Sequence, residues 1–210
     1  MAGGEAATVR TVAGRGEAAF EVRGSRFAGH VAPVEDVDAA EAFVDAVAAE
    51  HPDATHVVPA YRVRSGDGGL VRAWSSDAGE PTGSAGKPAL NVLVQRDLLD
   101  VAAAVVRDFG GTELGVGGLA RAYGRAVSLA VEDAGVIERP PERRVGLEVD
   151  YGDSGTVRGL LESAGVTFEA DYAETVRFDV RAPADEIDGL LDRVRSATSG
   201  RVDVDSDGPA

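Results

Sequence analysis

Two consecutive prolines, Pro140 and Pro141, interrupt a 210-residue chain that otherwise runs in well-patterned segments. Each proline restricts φ and removes a backbone donor, so neither a helix nor an inner strand can pass through Glu138-Arg139-Pro140-Pro141-Glu142-Arg143. The pair predicts a linker and two domains, 1–139 and 143–205, with 206–210 as a loose tail. A chain of this length can bury a core in each part.

The C-terminal part reads as a repeating pattern of strand and helix. Val145 to Asp150 alternates as a strand, and Val157, Leu160, Leu161 and Ala164 make the apolar stripe of a helix that Gly165 ends. Val166 to Tyr172 and Thr175 to Arg181 read as two strands, Ile187, Leu190, Leu191 and Val194 mark a second helix, and Arg201 to Asp205 supplies a last strand. This βαββαβ order predicts a ferredoxin-like sandwich.

The N-terminal part predicts a mixed α/β domain, making the whole chain α+β. Strands are expected at Glu17 to Arg23, Phe27 to Val34, Val57 to Arg64, Leu70 to Ser75 and Val101 to Arg107. One helix follows Glu35-Asp36 with Val37, Ala40, Val44 and Val47 on one face; others are expected over Ser84 to Gln95 and from Gly117 to about Asp133.

Composition removes several chemistries. The absence of cysteine excludes disulfides, thiolate catalysis and thiolate metal sites. His30, His51 and His56 are not spaced as a helical metal-binding pair, so neither a metal nor a cofactor is expected. No apolar run approaches the roughly 20 residues of a bilayer span, and the first residues, Met1 to Glu5, do not resemble a secretory signal; a cytoplasmic protein with no membrane partner is expected. The net charge of −15 disfavours phosphate binding and sequence-specific DNA recognition. The same acidity, with a single lysine, also fits adaptation to molar salt, where the Debye length is about 3 Å and local basic clusters become the better guide. Oligomeric state is left open.

That single lysine, Lys87, stands in Gly79-Glu80-Pro81-Thr82-Gly83-Ser84-Ala85-Gly86-Lys87-Pro88. Successive backbone N–H groups at a helix start can form an anion nest, to which a lysine adds charge. Proline at 81 and 88 rules out a nucleotide P-loop, which needs glycine and Ser or Thr there. The stretch also reads as a glycine-rich turn whose Lys87 pairs with a carboxylate such as Glu80. A second candidate is Arg107-Asp108-Phe109-Gly110-Gly111 through Gly115, Gly117, Arg121 and Tyr123, where glycines permit close approach beside two arginines; it does not meet the dinucleotide-binding pattern. A hairpin from Tyr61-Arg62-Val63-Arg64 to Val71-Arg72-Ala73-Trp74 puts Arg62, Arg64, Arg72 and Trp74 on one face in one register and splits them in the other. His56, Asp77 and Glu80 compose an acid/base set without a paired nucleophile.

Ser25-Arg26-Phe27, Ala54-Thr55-His56, Ala60-Tyr61-Arg62, Ser76 through Pro88, and Arg107 through Gly111 to Arg121-Ala122-Tyr123-Gly124 together resemble the YigZ/IMPACT family, in order across residues 25 to 125. The resemblance implies an N-terminal fold like the second domain of ribosomal protein S5, a left-handed βαβ type used in translation factors, and a second domain similar to elongation factor G domain V. Eukaryotic members restrain a starvation-response kinase that controls translation initiation, with the help of a further domain. The chain departs from the family pattern in three places: Val57-Val58-Pro59 for a cysteine and small aromatic segment after the histidine, Asp108 for an aromatic, and Glu113 for a basic residue; Asp108 and Glu113 weaken the positive potential of the groove.

The resemblance implies a non-enzymatic, translation-associated protein that binds RNA or a ribosome-associated partner through a glycine-lined groove. Gly83, Ser84, Gly86, Lys87, Arg107, Gly110, Gly111 and Arg121 are the expected anion-binding residues, supported by His56, Asp77 and Glu80. The alternatives are an enzyme acting on a small phosphorylated or peptide substrate, with His56 and Glu80 as acid and base, and a protein–protein adaptor using the acidic ferredoxin-like domain.

Overall fold

A run of small and β-branched residues, Val-Ala-Ala-Ala-Val-Val, makes one strand of the N-terminal unit buried on both faces, and the rest of that unit is built around it. The computed structural model describes residues 8–65, 70–140 and 142–205, so the expected tail, the hairpin tip at 66–69 and Pro141 lie outside the described residues. The chain divides into two compact units, one of Val9–Arg139 and one that takes in the residues from Pro140 onward.

In the first unit the elements are β1 (Val9–Val12), β2 (Gly16–Val22), β3 (Ser25–Pro33), α1 (Val37–Glu50), β4 (His56–Ser65), β5 (Leu70–Ser75), α2 (Gly86–Gln95), β6 (Val101–Asp108), α3 (Val116–Ala134) and β7 (Val136–Arg139). Five strands form an antiparallel sheet in the order β2-β3-β6-β4-β5. β3 and β4, linked through α1, are both antiparallel to β6 and so flank it as a split βαβ unit.

Because side chains alternate across a strand, the central strands feed two cores. Ala28, Ala32, Ala102, Ala104 and Val106 pack with Phe43 and Val47 of α1 on one face. Phe27, Val31, Val101, Ala103 and Val105 pack with Leu93 of α2 and Tyr123, Val127 and Val131 of α3 on the other. α3 sits directly on backbone: a Cβ on Gly29 would overlap the carbonyl of Ala126, so only glycine allows this approach. α1 starts where expected, with the Asp36 carboxylate accepting from the Ala39 amide at 2.8 Å.

β1 and β7 pair antiparallel as a separate two-stranded ribbon, neither of which was expected as a strand. β7 runs to Arg139 and the next strand begins at Glu142, so the residues 138–143 read as a linker are mostly strand. Pro140 follows the last paired residue of the β1–β7 ladder, Arg139, a position where no ladder donor is needed.

The second unit contains β8 (Glu142–Val149), α4 (Tyr151–Ala164), β9 (Thr167–Tyr172), β10 (Val176–Pro183), α5 (Ile187–Ala197) and β11 (Asp203–Asp205). Its antiparallel sheet has the order β11-β8-β10-β9, the ferredoxin-like arrangement expected from the βαββαβ pattern. β10 alternates buried and half-buried residues along its length, and Phe178 and Val180 meet Val157 and Leu161 of α4 and Leu190 and Val194 of α5. Gly165 caps α4 at φ +68°, a left-handed position that a helix commonly gives to glycine.

Candidate functional site

One row of register partners crosses the first unit's sheet near the C-terminal end of β6: Phe20, Phe27, Arg107 and His56, on β2, β3, β6 and β4. Partners across a ladder share a face, and Arg107 has the parity of Val101, Ala103 and Val105, so the row points to the face covered by α2 and α3. The geometry therefore carries Arg107 into the interior. It is 5% exposed, expected in the sequence as an anion contact but placed here beneath the surface.

Glu80 comes down from the loop before α2 to meet it. Arg107 Nη1 donates to Glu80 Oε1 at 2.5 Å, and the Tyr123 hydroxyl donates to the same oxygen at 2.6 Å. The Arg107 guanidinium also lies 5.4 Å from the Phe27 ring centre and 5.3 Å from that of Phe109, while Nη2 reaches Ser25 Oγ at 3.4 Å. Burial and the bond to Glu80 hold the Tyr123 hydroxyl protonated well above the ordinary phenol range. His56 Nδ1 donates to the Ala78 carbonyl at 2.8 Å, leaving Nε2 3.9 Å from Glu80 Oε1. His56, Glu80 and Arg107 are thus brought together as a buried polar anchor; the Glu80 carboxylate is neutralised from within, and Lys87 is not its partner.

The glycine-rich loop is shaped by two turns and one carboxylate. Ala78 and Gly79 both have positive φ and the Glu80 amide bonds back to Asp77 O, a primed turn; Pro81 to Ser84 closes a second turn with Gly83 at φ +77°. Asp77 then accepts from the amides of Gly83 at 2.7 Å, Ala85 at 3.0 Å and Gly86 at 2.9 Å. These bonds, led by that from Gly83, hold the Asp77 carboxyl below its ordinary range. The backbone donors expected to cradle an external anion at Gly83 and Gly86 are therefore engaged by the chain's own carboxylate, and Ser84 Oγ is buried without a hydrogen-bond partner among the described residues. Gly86 is required because a Cβ there would stand 2.5 Å from Ser76 O.

Of the cations expected to bind an anion, Lys87 and Arg121 stay in solvent. Lys87 is exposed at the second position of α2, and Arg121 is exposed on the first turns of α3; neither has an ion pair or hydrogen bond among the described residues. Pro88, at the start of α2, faces Gly124, while Arg96 at its end donates to Ser128 and Glu132, so α2 and α3 run side by side in the same direction. Because Pro88 faces Gly124, α2 begins beside the middle of α3, about two turns along from Val116. Arg121 belongs to the stripe of α3 that carries Gly117 and Gly124, and its Nη1 would be 3.5 Å from a Cβ on Gly117. α3 begins at Gly115 with no side-chain cap and no acid in its first turn, leaving its leading amides to solvent.

β6 leads into the exposed loop of Gly110 and Gly111. The loop is pinned at the start of β3 and just before β4: the Gly110 amide donates to Ser25 Oγ at 3.1 Å, the Phe109 amide to Thr55 Oγ1 at 3.0 Å, and a Cβ on Gly110 would overlap the carbonyl of Gly24. Asp108 is drawn toward Arg26 at 3.8 Å, and Glu113 is exposed. Sequence reasoning gave Ser25, Thr55, Phe109 and Tyr123 no role, although a buried tyrosine requires a partner and the parity of Arg107 already marked the covered face.

The arginine-rich hairpin takes the register that splits its residues. Tyr61 opposes Trp74 and Val63 opposes Arg72, placing Arg62 and Arg64 on the other face. There Arg62 donates to the carbonyls of Leu93 and Leu98, and Arg64 is clamped by Asp100. A cavity of ≈ 280 Å³ lies elsewhere, between α1 and the β2–β3 edge, lined by His30, Glu17, Phe43 and Glu50 among others and by none of the expected site residues. Among the described residues no helix is long and apolar enough to cross a membrane.

Comparison with known proteins matches the Impact N-terminal domain to residues 23–131 and a domain of unknown function, DUF1949, to residues 147–201. IMPACT family member YvyE of Bacillus subtilis (strain 168) is 36% identical over 92% of this chain and 88% of its own. IMPACT family member YigZ of Escherichia coli (strain K12) is 36% identical over 80% of this chain and 82% of its own. A crystal structure described as that of a hypothetical protein superposes with a TM-score of 0.77 at 30% identity, covering 97% of this chain and 98% of that one.

Proposed function

The chain belongs to the IMPACT family, and from that premise we propose that it is a non-enzymatic, cytoplasmic protein of translation or its regulation that binds RNA where α2 begins beside α3. The observation that carries this reading is Lys87. In a chain of net charge −15 it stands exposed and without a carboxylate partner among the described residues. It also sits at the positive end of a helix, where a cation is disfavoured by about 0.3–1 kcal/mol. An anionic ligand reverses that sign.

In this reading Lys87 and Arg121 contact phosphate, the leading amides of α3 add donors, and Gly110 and Gly111 let a backbone approach closely. Asp77 holds the loop that leads into Lys87. Glu80, Arg107, Tyr123 and His56 hold the floor beneath and do not touch the ligand. The Glu80 side chain is 3% exposed and its Oε1 is shared between Arg107 and Tyr123, which favours a structural role over that of a general base.

The reading is tested by ultraviolet crosslinking in cells, followed by sequencing of the RNA retained on the wild-type chain and on Lys87→Ala/Arg121→Ala. RNA recovered with the first and lost with the second is expected. Equal recovery from both would remove these residues from the interface, and no RNA from either would end the RNA reading.

A further inference from the structure

We infer that Phe109 is a stacking platform for an unpaired nucleobase, so that the RNA taken at this site is single-stranded; the inference rests on the phosphate reading of Lys87 and Arg121 given above. Phe109 is 48% exposed in a chain with few aromatic residues, and it belongs to neither core cluster of its unit. The ring is nonetheless held in place. Its own amide is bonded to Thr55 Oγ1, and the next residue, Gly110, is bonded to Ser25 Oγ and packed on the Gly24 carbonyl. A ring fixed before binding loses little entropy on capturing a ligand.

Its surroundings fit a base. The Arg107 guanidinium lies 5.3 Å from the ring centre and is locked there by Glu80, which leaves the rest of the ring to solvent. Gly110 and Gly111 put no side chain beside it. Other exposed aromatics are engaged: Trp74 stacks on Tyr61 at 5.3 Å, and the Tyr151 and Tyr172 hydroxyls are hydrogen-bonded. Glu80, bonded to the same Arg107, lies on the loop that leads into Lys87, so one bonded path connects the ring to the segment that carries the cation. In an A-form duplex the base faces are occupied by their neighbours, so an exposed ring can stack only on a base in a single strand, loop or end.

The test measures the affinity of the full chain for fluorescein-labelled oligouridylate and for an RNA duplex of equal length. Phe109→Leu, which keeps an apolar side chain, is expected to weaken oligouridylate binding by about 5- to 100-fold while leaving the duplex affinity and the salt dependence unchanged. Phe109→Trp, made in a Trp74→Phe background so that the new indole reports alone, is expected to bind as tightly as wild type and to lose fluorescence as oligouridylate saturates it. Oligouridylate affinity in Phe109→Leu equal to wild type, or an indole signal unmoved at saturation, would overturn the stacking inference. If wild type binds oligouridylate in a salt-dependent way and Phe109→Leu matches it, stacking alone fails. If wild type binds neither RNA, the phosphate reading fails too.

Discussion

Replacing Arg107 with alanine removes the positive partner of a carboxylate whose side chain is only 3% exposed. The Glu80 carboxylate would keep the Tyr123 hydroxyl and face His56 at 3.9 Å, but it would have lost its charge partner. Breaking a buried ion pair from one side costs about 3–5 kcal/mol, because the surviving charge cannot regain its hydration. For a unit of this size that corresponds to a fall in Tm of roughly 10–20 °C. Trp74, the only tryptophan, lies in the first unit, so its fluorescence during urea unfolding follows that unit alone. The second half of the cycle adds Glu80→Gln. Arg107→Ala/Glu80→Gln leaves no buried charge, so it is expected to recover most of the loss, giving a strongly non-additive cycle. A loss below about 1 kcal/mol for Arg107→Ala, or additive effects, would refute the placement of Arg107 as an internal anchor.

Gly110→Ala forces a Cβ into the Gly24 carbonyl and is expected to cost several kcal/mol and to loosen the Phe109 loop, checked by urea unfolding and by proteolysis at the loop; a neutral effect would contradict the close approach. Asp77→Asn weakens the clamp on three amides and is expected to cost about 1–2 kcal/mol at neutral pH. Because the folded-state pKa of Asp77 is depressed, its contribution is present above the unfolded carboxyl value of about 3.9 and is lost as pH falls through the folded value, so wild type and Asp77→Asn should converge in Tm toward pH 3; a gap independent of pH would contradict the clamp.

Elements with a repeating period were legible in the sequence because local chemistry dictates them. Asp36 marked the start of α1, Gly165 the end of α4, and the alternation along β10 marked a half-buried strand. β1 and β7 were not legible. Each is four residues long, and their pairing joins positions such as Val12 and Val136 that no local pattern connects. The hairpin register could not be chosen from composition, since both alignments kept valines and arginines in alternation. Within the site, glycines and charges were visible but their satisfaction was not. Asp77 fills the nest, and Arg107 points inward because β6 is covered on both faces, a consequence of helix packing rather than of the motif. Lys87 and Arg121 kept their exposure because α2 and α3 run parallel and end their contact there.

The most direct test of the central claim is the salt dependence of RNA binding, measured by fluorescence anisotropy across salt concentrations at which circular dichroism shows the chain folded. Each lost phosphate contact on single-stranded RNA should lower the slope of log K against log salt by about 0.7. The account predicts that Lys87→Ala and Arg121→Ala each lower it by about that amount, and the double variant by about twice that, with Tm nearly unchanged because both side chains are exposed. A wild-type slope near zero, or a slope the same in all four proteins, would contradict it.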